Sequence, residues 1–540
     1  MPLDPGMHKS RWIYLLIVGL LTPSFFWIAQ DYHVWPWDQA WYGEVSVDLR
    51  FWLTHSPYTW VATMADGLDL KPPGVVWIGQ FFVLLNGILG SSERSLLFSI
   101  LATQFVLLVL VFKCGQTISP DSRLVPIAGV LFAAAGQLLT GLSHQFFVEP
   151  LQAVAVAWMF LIALKARQWS KSRIALHLVG GLTLGLLAKA TTPVYSLFPC
   201  LYCLFVWVRR PSDNSLATEW RSRSFRVLAV AIGCSVLVGA VWYLRHLAAV
   251  WRHVHDATSG DIALDYATPG SSFDRLKIWT FVLKQSFLDP YLVWALVPAL
   301  VLAVIWTWKR ASFSRKLDPV ASISVVQIAL LLWVFAINTT VDPRYMYAIL
   351  APLAILFMQL CATLPWQATL SLLVLCVLQW GAVSSASLGR PDQLGRQSQW
   401  LYPPQRDRSQ FDELTHIVRS TSDVSGRYNM FAVEEPWINA NSASFFAASA
   451  RLHTGVRSYF TSIGYAQKDT AAAMRRIEEF RTRYVITLAE PFHTNPPNFL
   501  NVVALPVLEQ MRRDARFTQQ DFPTQNGVLV FRFNPAFASN

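Results

Sequence analysis

Residues 31–77 read DYHVWPWDQAWYGEVSVDLRFWLTHSPYTWVATMADGLDLKPPGVVW. The stretch follows an apolar run at 12–29 and leads into another at 74–90. It carries six tryptophans, Trp35, Trp37, Trp41, Trp52, Trp60 and Trp77, sets Asp38 and Glu44 among them, and closes on Lys71-Pro72-Pro73. A plain connector between two membrane-length segments has no use for such residues. Its reading decides the architecture, because whether 74–90 crosses a bilayer sets the side of every later loop.

The 540 residues are 54% hydrophobic and 14% charged, which excludes an ordinary soluble enzyme. Apolar runs recur at about 12–29, 74–90, 95–112, 124–142, 149–164, 174–188, 192–208, 226–244, 287–308, 319–337, 346–363 and 365–386. Runs near twenty residues cross a hydrocarbon core of ~30 Å as helices. The chain therefore reads as a polytopic α-helical membrane protein.

Charge chooses between the two topologies. The loops after 112, 164, 208 and 308 hold fifteen cations: Lys113, Arg123, Lys165, Arg167, Lys171, Arg173, Arg209, Arg210, Arg221, Arg223, Arg226, Lys309, Arg310, Arg315 and Lys316. Against them stand only Asp121, Asp213, Glu219 and Asp318. If 74–90 spans, all four loops face outward and break the positive-inside rule; if it lies at the outer interface, all four join Lys9 and Arg11 inside. The expectation is eleven transmembrane helices, with the N-terminus cytoplasmic and 30–94 forming one long outer loop with juxtamembrane helices. The net charge of +11 is spent on topology, so no nucleic-acid partner is expected. Lys9 and Arg11 precede the first run without a small-residue cleavage site, as in a retained signal anchor.

After residue 386 the chain changes character. Residues 387–409 read as a polar linker and 410–540 as a small extracytoplasmic α/β domain. Helical periodicity at 412–420 and 471–481 alternates there with strand-like runs at 428–433, 484–488 and 528–533. Residues 1–386 form the membrane domain.

On this topology one set of ionisable residues collects at the outer face: Asp38, Glu44 and Lys71; His144 and Glu149; Lys189; Arg245 and His246; Asp342 and Arg344. Blander uses exist for several. Glu149-Pro150 suits the first turn of a helix, and Lys189 and Arg344 suit snorkelling anchors. The six tryptophans suit interfacial anchoring as well as stacking on sugars. His253-Val254-His255-Asp256 has metal-site composition, but an i, i+2 histidine pair shares no helix face, so a solvated loop is expected. Cys200-Leu-Tyr-Cys203 has no second ligand pair and reads as part of a spanning helix. No metal site is expected.

These residues carry a resemblance. DQAWYGEV at 38–45, KPPGVVW at 71–77 and VEPLQAV at 148–154, with weaker echoes in GLLAKATTP at 185–193, VWYL at 241–244 and DPRYMYAILAPLAIL at 342–356, resemble the type C polyprenyl-phosphate-sugar-dependent glycosyltransferases. The similar branch is that of protein O-mannosyltransferases and lipid A aminoarabinose transferases, and the likeness covers roughly residues 10–386. It implies a catalytic outer-loop acid at Asp38, with Glu149 and Glu44 as further acids. It also implies phosphate-side roles for Lys71 and Arg344; the need for cations beside a leaving phosphate adds Arg245, and Lys189, Tyr42 and Tyr345 are further candidates for substrate and phosphate binding. Gln39 replaces the second acid of the family pattern, and Glu149 stands where Asp is frequent.

The implied donor is a polyprenyl-phosphate sugar, and the implied acceptor is a lipid, glycan or protein hydroxyl on the outer side of a bacterial inner membrane. No cofactor is demanded, although one or two carboxylates are compatible with a divalent cation. The physical argument agrees, since an outer-face enzyme has no nucleotide sugars and must take its donor from the membrane. The alternative is a transporter or flippase of a lipid-linked glycan, which would show charges near the midplane and paired broken helices.

Overall fold

The computed structural model describes residues 11–210, 215–309, 319–389, 401–422, 427–489, 498–524 and 526–535. Lys9, Asp213, Arg310, Arg315, Lys316, Asp318 and linker residues 390–400 lie outside the described residues. The chain divides into two compact units. One takes Met1–Ile28, Leu68–Val75 and Leu97–Pro403; the other takes Ala29–Gly67, Val76–Leu96 and Pro404–Asn540. Most of the outer loop thus clusters with the C-terminal region, a different cut from the one that sequence character suggests.

The first unit is built of helices. Among the described residues six are long and apolar enough to cross a membrane: Arg11–Gln30, Ser92–Ile118, Arg223–Asp265, Pro319–Ile337, Pro343–Thr363 and Trp366–Ser387. Counting two bent pairs as single spans makes eight. The runs expected to span at 149–164, 174–188 and 192–208 form Glu149–Lys165, Lys171–Ala188 and Leu197–Arg209, outside that set. An eleven-span count requires these three to cross as well. The run at 74–90 also lies outside it, being helical from Gly74 to Leu89, interrupted by a 3₁₀ turn at Val83–Leu85 and closed at Gly90 with φ +83°.

The run expected at 124–142 is broken, and the run expected at 287–308 bends sharply away from a helix that precedes it. Leu124–Ala134 and Gln137–Ser143 meet at 62°, and Ser272–Phe287 and Leu292–Ile305 at 94°. The helix Ser272–Phe287 escapes an apolar-run search because it is amphipathic. A reciprocal capping box starts it, with Asp274 N donating to Ser271 Oγ at 3.2 Å and Ser271 N to Asp274 Oδ2 at 3.1 Å.

Each break frees backbone groups that an apolar surrounding cannot satisfy. One buried side chain closes both. Gln379 Oε1 accepts from Tyr291 N at 3.2 Å and Leu292 N at 3.1 Å, while its Nε2 donates to Ala135 O and Phe287 O, each at 3.2 Å. Gln327 does the same for the break before Leu197–Arg209, accepting from Phe198 N at 3.0 Å and donating to Val194 O at 2.8 Å. The run expected at 226–244 instead continues without a break as Arg223–Thr258. His253, His255 and Asp256 therefore lie on a helix and not in the expected loop.

The second unit holds the sheet. Strands β1 (Tyr428–Phe431), β2 (Tyr459–Ser462), β3 (Tyr484–Leu488), β4 (Phe517–Gln519) and β5 (Val528–Phe533) run in the order β2-β1-β3-β5-β4. The first three are parallel, and β5 joins β3 and β4 antiparallel. Met430, Val485 and Phe531 on one sheet face pack with Ala473, Met474, Ile477, Val507 and Met511. The outer-loop stretch is itself helical, as Trp37–His55 and Pro57–Asp66, the second capped by Ser56 Oγ accepting from Thr59 N at 3.3 Å. Trp37–His55 lies close against the helix Ala440–Thr454, where a Cβ on Gly43 would come within 2.8 Å of the Phe445 ring. Two of its indoles brace the loop internally: Trp60 Nε1 donates to Gln80 Oε1 at 2.8 Å and Trp77 Nε1 to Met64 O at 3.2 Å.

Candidate active site

In the first unit the sequence-derived residues gather around Glu149. Glu149 opens its helix with Pro150 in the first turn and is 3% exposed. Its Oε1 accepts from Lys189 Nζ at 2.8 Å, while its buried Oε2 has no hydrogen-bond partner among the described residues. A turn holds Lys189 in place. Lys189 N donates to Gly185 O at 2.8 Å, and the Thr192 hydroxyl donates to Lys189 O at 2.8 Å and to Gly185 O at 2.7 Å. The Lys189 ammonium sits 4.2 Å from the centroid of the Tyr345 ring, a cation–π distance. The backbone of Tyr345 is fixed by Tyr195, whose hydroxyl donates to Tyr345 O at 2.9 Å.

Arg344 is the second cation acting on Glu149. Asp342 aims it, accepting from Arg344 Nε at 2.8 Å and from Arg344 N at 3.1 Å, and the guanidinium lies 4.1 Å from the Phe147 ring centroid. The segment carrying Lys71 reaches the same helix end. Trp242 Nε1 donates to Leu68 O at 3.1 Å, and a Cβ on Gly74 would fall 2.6 Å from Leu187 O, two residues before Lys189. Only glycine lets the backbone approach so closely. Arg245 is exposed and lies two residues beyond Tyr243, whose hydroxyl donates to Leu186 O at 2.7 Å.

Glu149, Lys189, Arg344 and Tyr345 are thus brought together, and the segments of Lys71 and Arg245 are anchored to the turn that carries Lys189. Tyr195, Asp342 and Phe147 complete the group. Nothing in the sequence marks Tyr195, since it stands in the apolar run at 192–208; Phe147 lies in the short turn between the charged-end residues His144 and Glu149, which draw the eye instead.

In the second unit Asp38 occupies the first turn of Trp37–His55, partly exposed, with Gln39 and Tyr42 buried behind it. The preceding residue, Trp37, has φ +33°. Left-handed backbone at a bulky residue costs roughly 1–3 kcal/mol and persists only where its surroundings impose it. Here Trp37 Nε1 donates to Glu434 Oε2 at 3.1 Å.

Glu44 stands in a buried ion network. It accepts from Arg457 at 3.0 Å, while Asp48, one turn further along the helix, pairs with Arg457 and Arg451 at 2.9 Å each. Arg451 is 2% exposed and lies 4.0 Å from the Phe51 ring centroid. Burial, together with the neighbouring Asp48, pushes the Glu44 carboxyl up to about 7 despite Arg457. Burial likewise pushes Glu434 and Glu435 up to about 7.

These shifts have a sign. All three folded values exceed the ordinary 4.5, so the folded unit keeps protons that the unfolded chain releases. Their stabilising contribution is full below about pH 4.5 and is lost as pH rises through about 7. The thermal midpoint of the intact chain in detergent, followed by tryptophan fluorescence, is expected to fall between about pH 5 and about pH 8. Glu434→Gln and Glu435→Gln should flatten that slope, and a midpoint that climbs over the same range would contradict the assignment.

Among the described residues no group of three or more His, Cys, Asp or Glu is spaced to hold a metal ion.

No protein-family model matches the chain, and no curated protein sequence matches it. Its fold does match solved structures. A crystal structure of ArnT from Cupriavidus metallidurans, bound to undecaprenyl phosphate, is similar with a TM-score of 0.60 at 13% identity, over 98% of this chain and 99% of that one. A cryo-EM structure of the arabinofuranosyltransferase AftD from mycobacteria is similar with a TM-score of 0.54 at 12% identity, over 97% of this chain and 40% of the other. At identities this low the likeness shows the fold alone. The chain is a polytopic α-helical membrane protein with a small C-terminal β/α domain, and its fold is similar to that of ArnT.

Proposed function

We propose that the chain is an integral-membrane glycosyltransferase that moves a sugar from a polyprenyl-phosphate donor to an acceptor hydroxyl on the extracytoplasmic face. The acceptor is a lipid, a glycan or a protein. The observation that carries this reading is the buried Glu149–Lys189 pair backed by Arg344 and Tyr345, in a fold shared with a protein that binds undecaprenyl phosphate.

Breaking a sugar–phosphate bond releases a phosphate that is already acidic, so no strong general acid is required. A base for the acceptor and cations for the leaving phosphate are sufficient. Asp38 takes the acceptor proton as the hydroxyl oxygen bonds to the anomeric carbon. The carbon–oxygen bond to phosphate breaks, and polyprenyl phosphate leaves with the electron pair. Attack from the face opposite phosphate inverts the anomeric centre. Lys71, Arg245 and Arg344 neutralise the phosphate, and Lys189 holds Glu149 in place behind them. Glu44 supports the helix of Asp38 through Arg457. In this reading eleven helices span the membrane, with the C-terminal domain outside.

The two bent helix pairs are a feature that transporters also have, where unwound carbonyls coordinate cargo. Here Ala135 O and Phe287 O are taken up by Gln379, which favours the enzyme.

Mass spectrometry of membrane glycolipids and surface glycans, with and without the chain, tests the reading. Loss of the chain should leave a polyprenyl-phosphate sugar accumulating and one glycan residue missing. A complete glycan retained on the inner side of the membrane would instead indicate transport, and unchanged profiles would reject both.

A further inference from the structure

The C-terminal residues 404–540 share a compact unit with the stretch that carries Asp38. They hold the residues just before Asp38 at three points. The Ser442 hydroxyl donates to Trp35 O at 2.7 Å, and the Trp35 indole stacks on Phe445 with centroids 5.1 Å apart and planes within 4°. The third point is the Trp37 indole N–H on Glu434 Oε2.

Of these, the third bears on the strained residue. Trp37 has φ +33°, and the next residue is Asp38. The helix that presents Asp38 begins there, with Gln39 N donating to Pro36 O at 3.1 Å and Ala40 N to the same carbonyl at 3.5 Å. A bulky side chain at positive φ relaxes unless something outside its own backbone restrains it. Glu434 is suited to be that restraint because it is itself fixed. It follows β1 by three residues, is 7% exposed, and donates its N–H to Asn501 Oδ1 at 2.8 Å. Asn501 Nδ2 returns hydrogen bonds to Glu434 O and to Glu435 Oε1, both at 3.2 Å.

We propose that Glu434 is a positioning residue for Asp38: through Trp37 it fixes where the helix starts and so where the Asp38 carboxylate points. The C-terminal domain then belongs to the catalytic machinery through its hold on the outer loop. This rests on the reading of Asp38 as the base.

The test uses the full chain in lipid nanodiscs and, as donor, the polyprenyl-phosphate sugar fraction from membranes that lack the chain. Glu434→Ala, Glu434→Gln and Trp37→Phe are compared by hydrogen exchange at Gln39 and Ala40, and by kcat and KM. Glu434→Ala and Trp37→Phe should each speed exchange there and lower kcat on the order of 10–10²-fold, with the donor KM held. The double variant should be no worse than either single one. Glu434→Gln, which keeps a carbonyl acceptor for the indole, should recover most of the loss; a role in folding alone would not separate kcat from KM or show that recovery.

Unchanged exchange in Glu434→Ala overturns the positioning whatever Asp38 does. Faster exchange with unchanged kcat overturns its catalytic relevance. Wild-type turnover in Asp38→Asn would overturn the base itself, an outcome read apart from exchange.

Discussion

Asp38→Asn is expected to lower turnover by ~10²–10⁴-fold while the chain folds, inserts and keeps its donor KM. Asparagine has the size of aspartate and can still accept a hydrogen bond, so the substitution removes little beyond the capacity to take a proton. The expected loss corresponds to about 3–5 kcal/mol of transition-state stabilisation. Magnitude separates this from the structural use of the same residue. A carboxylate in the first turn of a helix interacts with the positive helix end for ~0.3–1 kcal/mol. If that were its whole role, the variant would lose a little stability and almost no rate. Transfer from the donor fraction to the acceptor, measured at saturating donor, decides between the two. Turnover near wild type would falsify the assignment of the base and shift the search to Glu149.

How much of this was legible in the sequence varies with the kind of residue. Charged groups near membrane ends advertise themselves, because an ionisable side chain beside a hydrocarbon-length run is costly and rarely idle. Glu149, Lys189, Arg344 and Lys71 stand out for that reason, and the first three with Tyr345 form one cluster around Glu149. The strands Tyr428–Phe431, Tyr484–Leu488 and Val528–Phe533 were legible from β-branched and aromatic runs. The strands Tyr459–Ser462 and Phe517–Gln519 sit among polar residues, in RSYFTS and RFTQQ, and carry no sustained apolar run, whereas Tyr428–Phe431 continues into Ala432 and Val433.

The helix breaks were not legible for a different reason. Nothing in LLVLCVLQWGAV announces that Gln379 will satisfy backbone groups around Ala135 and Phe287, which are distant in sequence. The tryptophans of the outer loop read as interfacial anchors or sugar-stacking platforms, and a further use was not legible: Trp35 stacks on Phe445, and Trp37, Trp60 and Trp77 donate hydrogen bonds within their unit. A belt and a set of internal braces have the same composition, and only tertiary partners distinguish them.

Lys189→Met is expected to destabilise the first unit strongly. Glu149 is 3% exposed, one of its carboxylate oxygens already has no hydrogen-bond partner among the described residues, and the Lys189 ammonium at 2.8 Å is its direct counter-ion. Removing one partner of a buried pair typically costs about 3–5 kcal/mol, because the survivor remains buried and uncompensated. The lower end is expected here, since Lys189 keeps 20% side-chain exposure and Arg344 still acts on Glu149. Methionine preserves the length of the stem, so lost packing contributes little. The thermal midpoint in detergent should drop by several degrees in Lys189→Met. The double variant Lys189→Met, Glu149→Gln should recover much of that drop, because no charge is then stranded. The two readings of the pair separate at this point. Were Lys189 only a snorkelling anchor, its loss would be mild and the second substitution would add damage without repairing any. Were the pair the device proposed here, the double variant would regain stability and stay inactive, with Glu149 no longer a carboxylate.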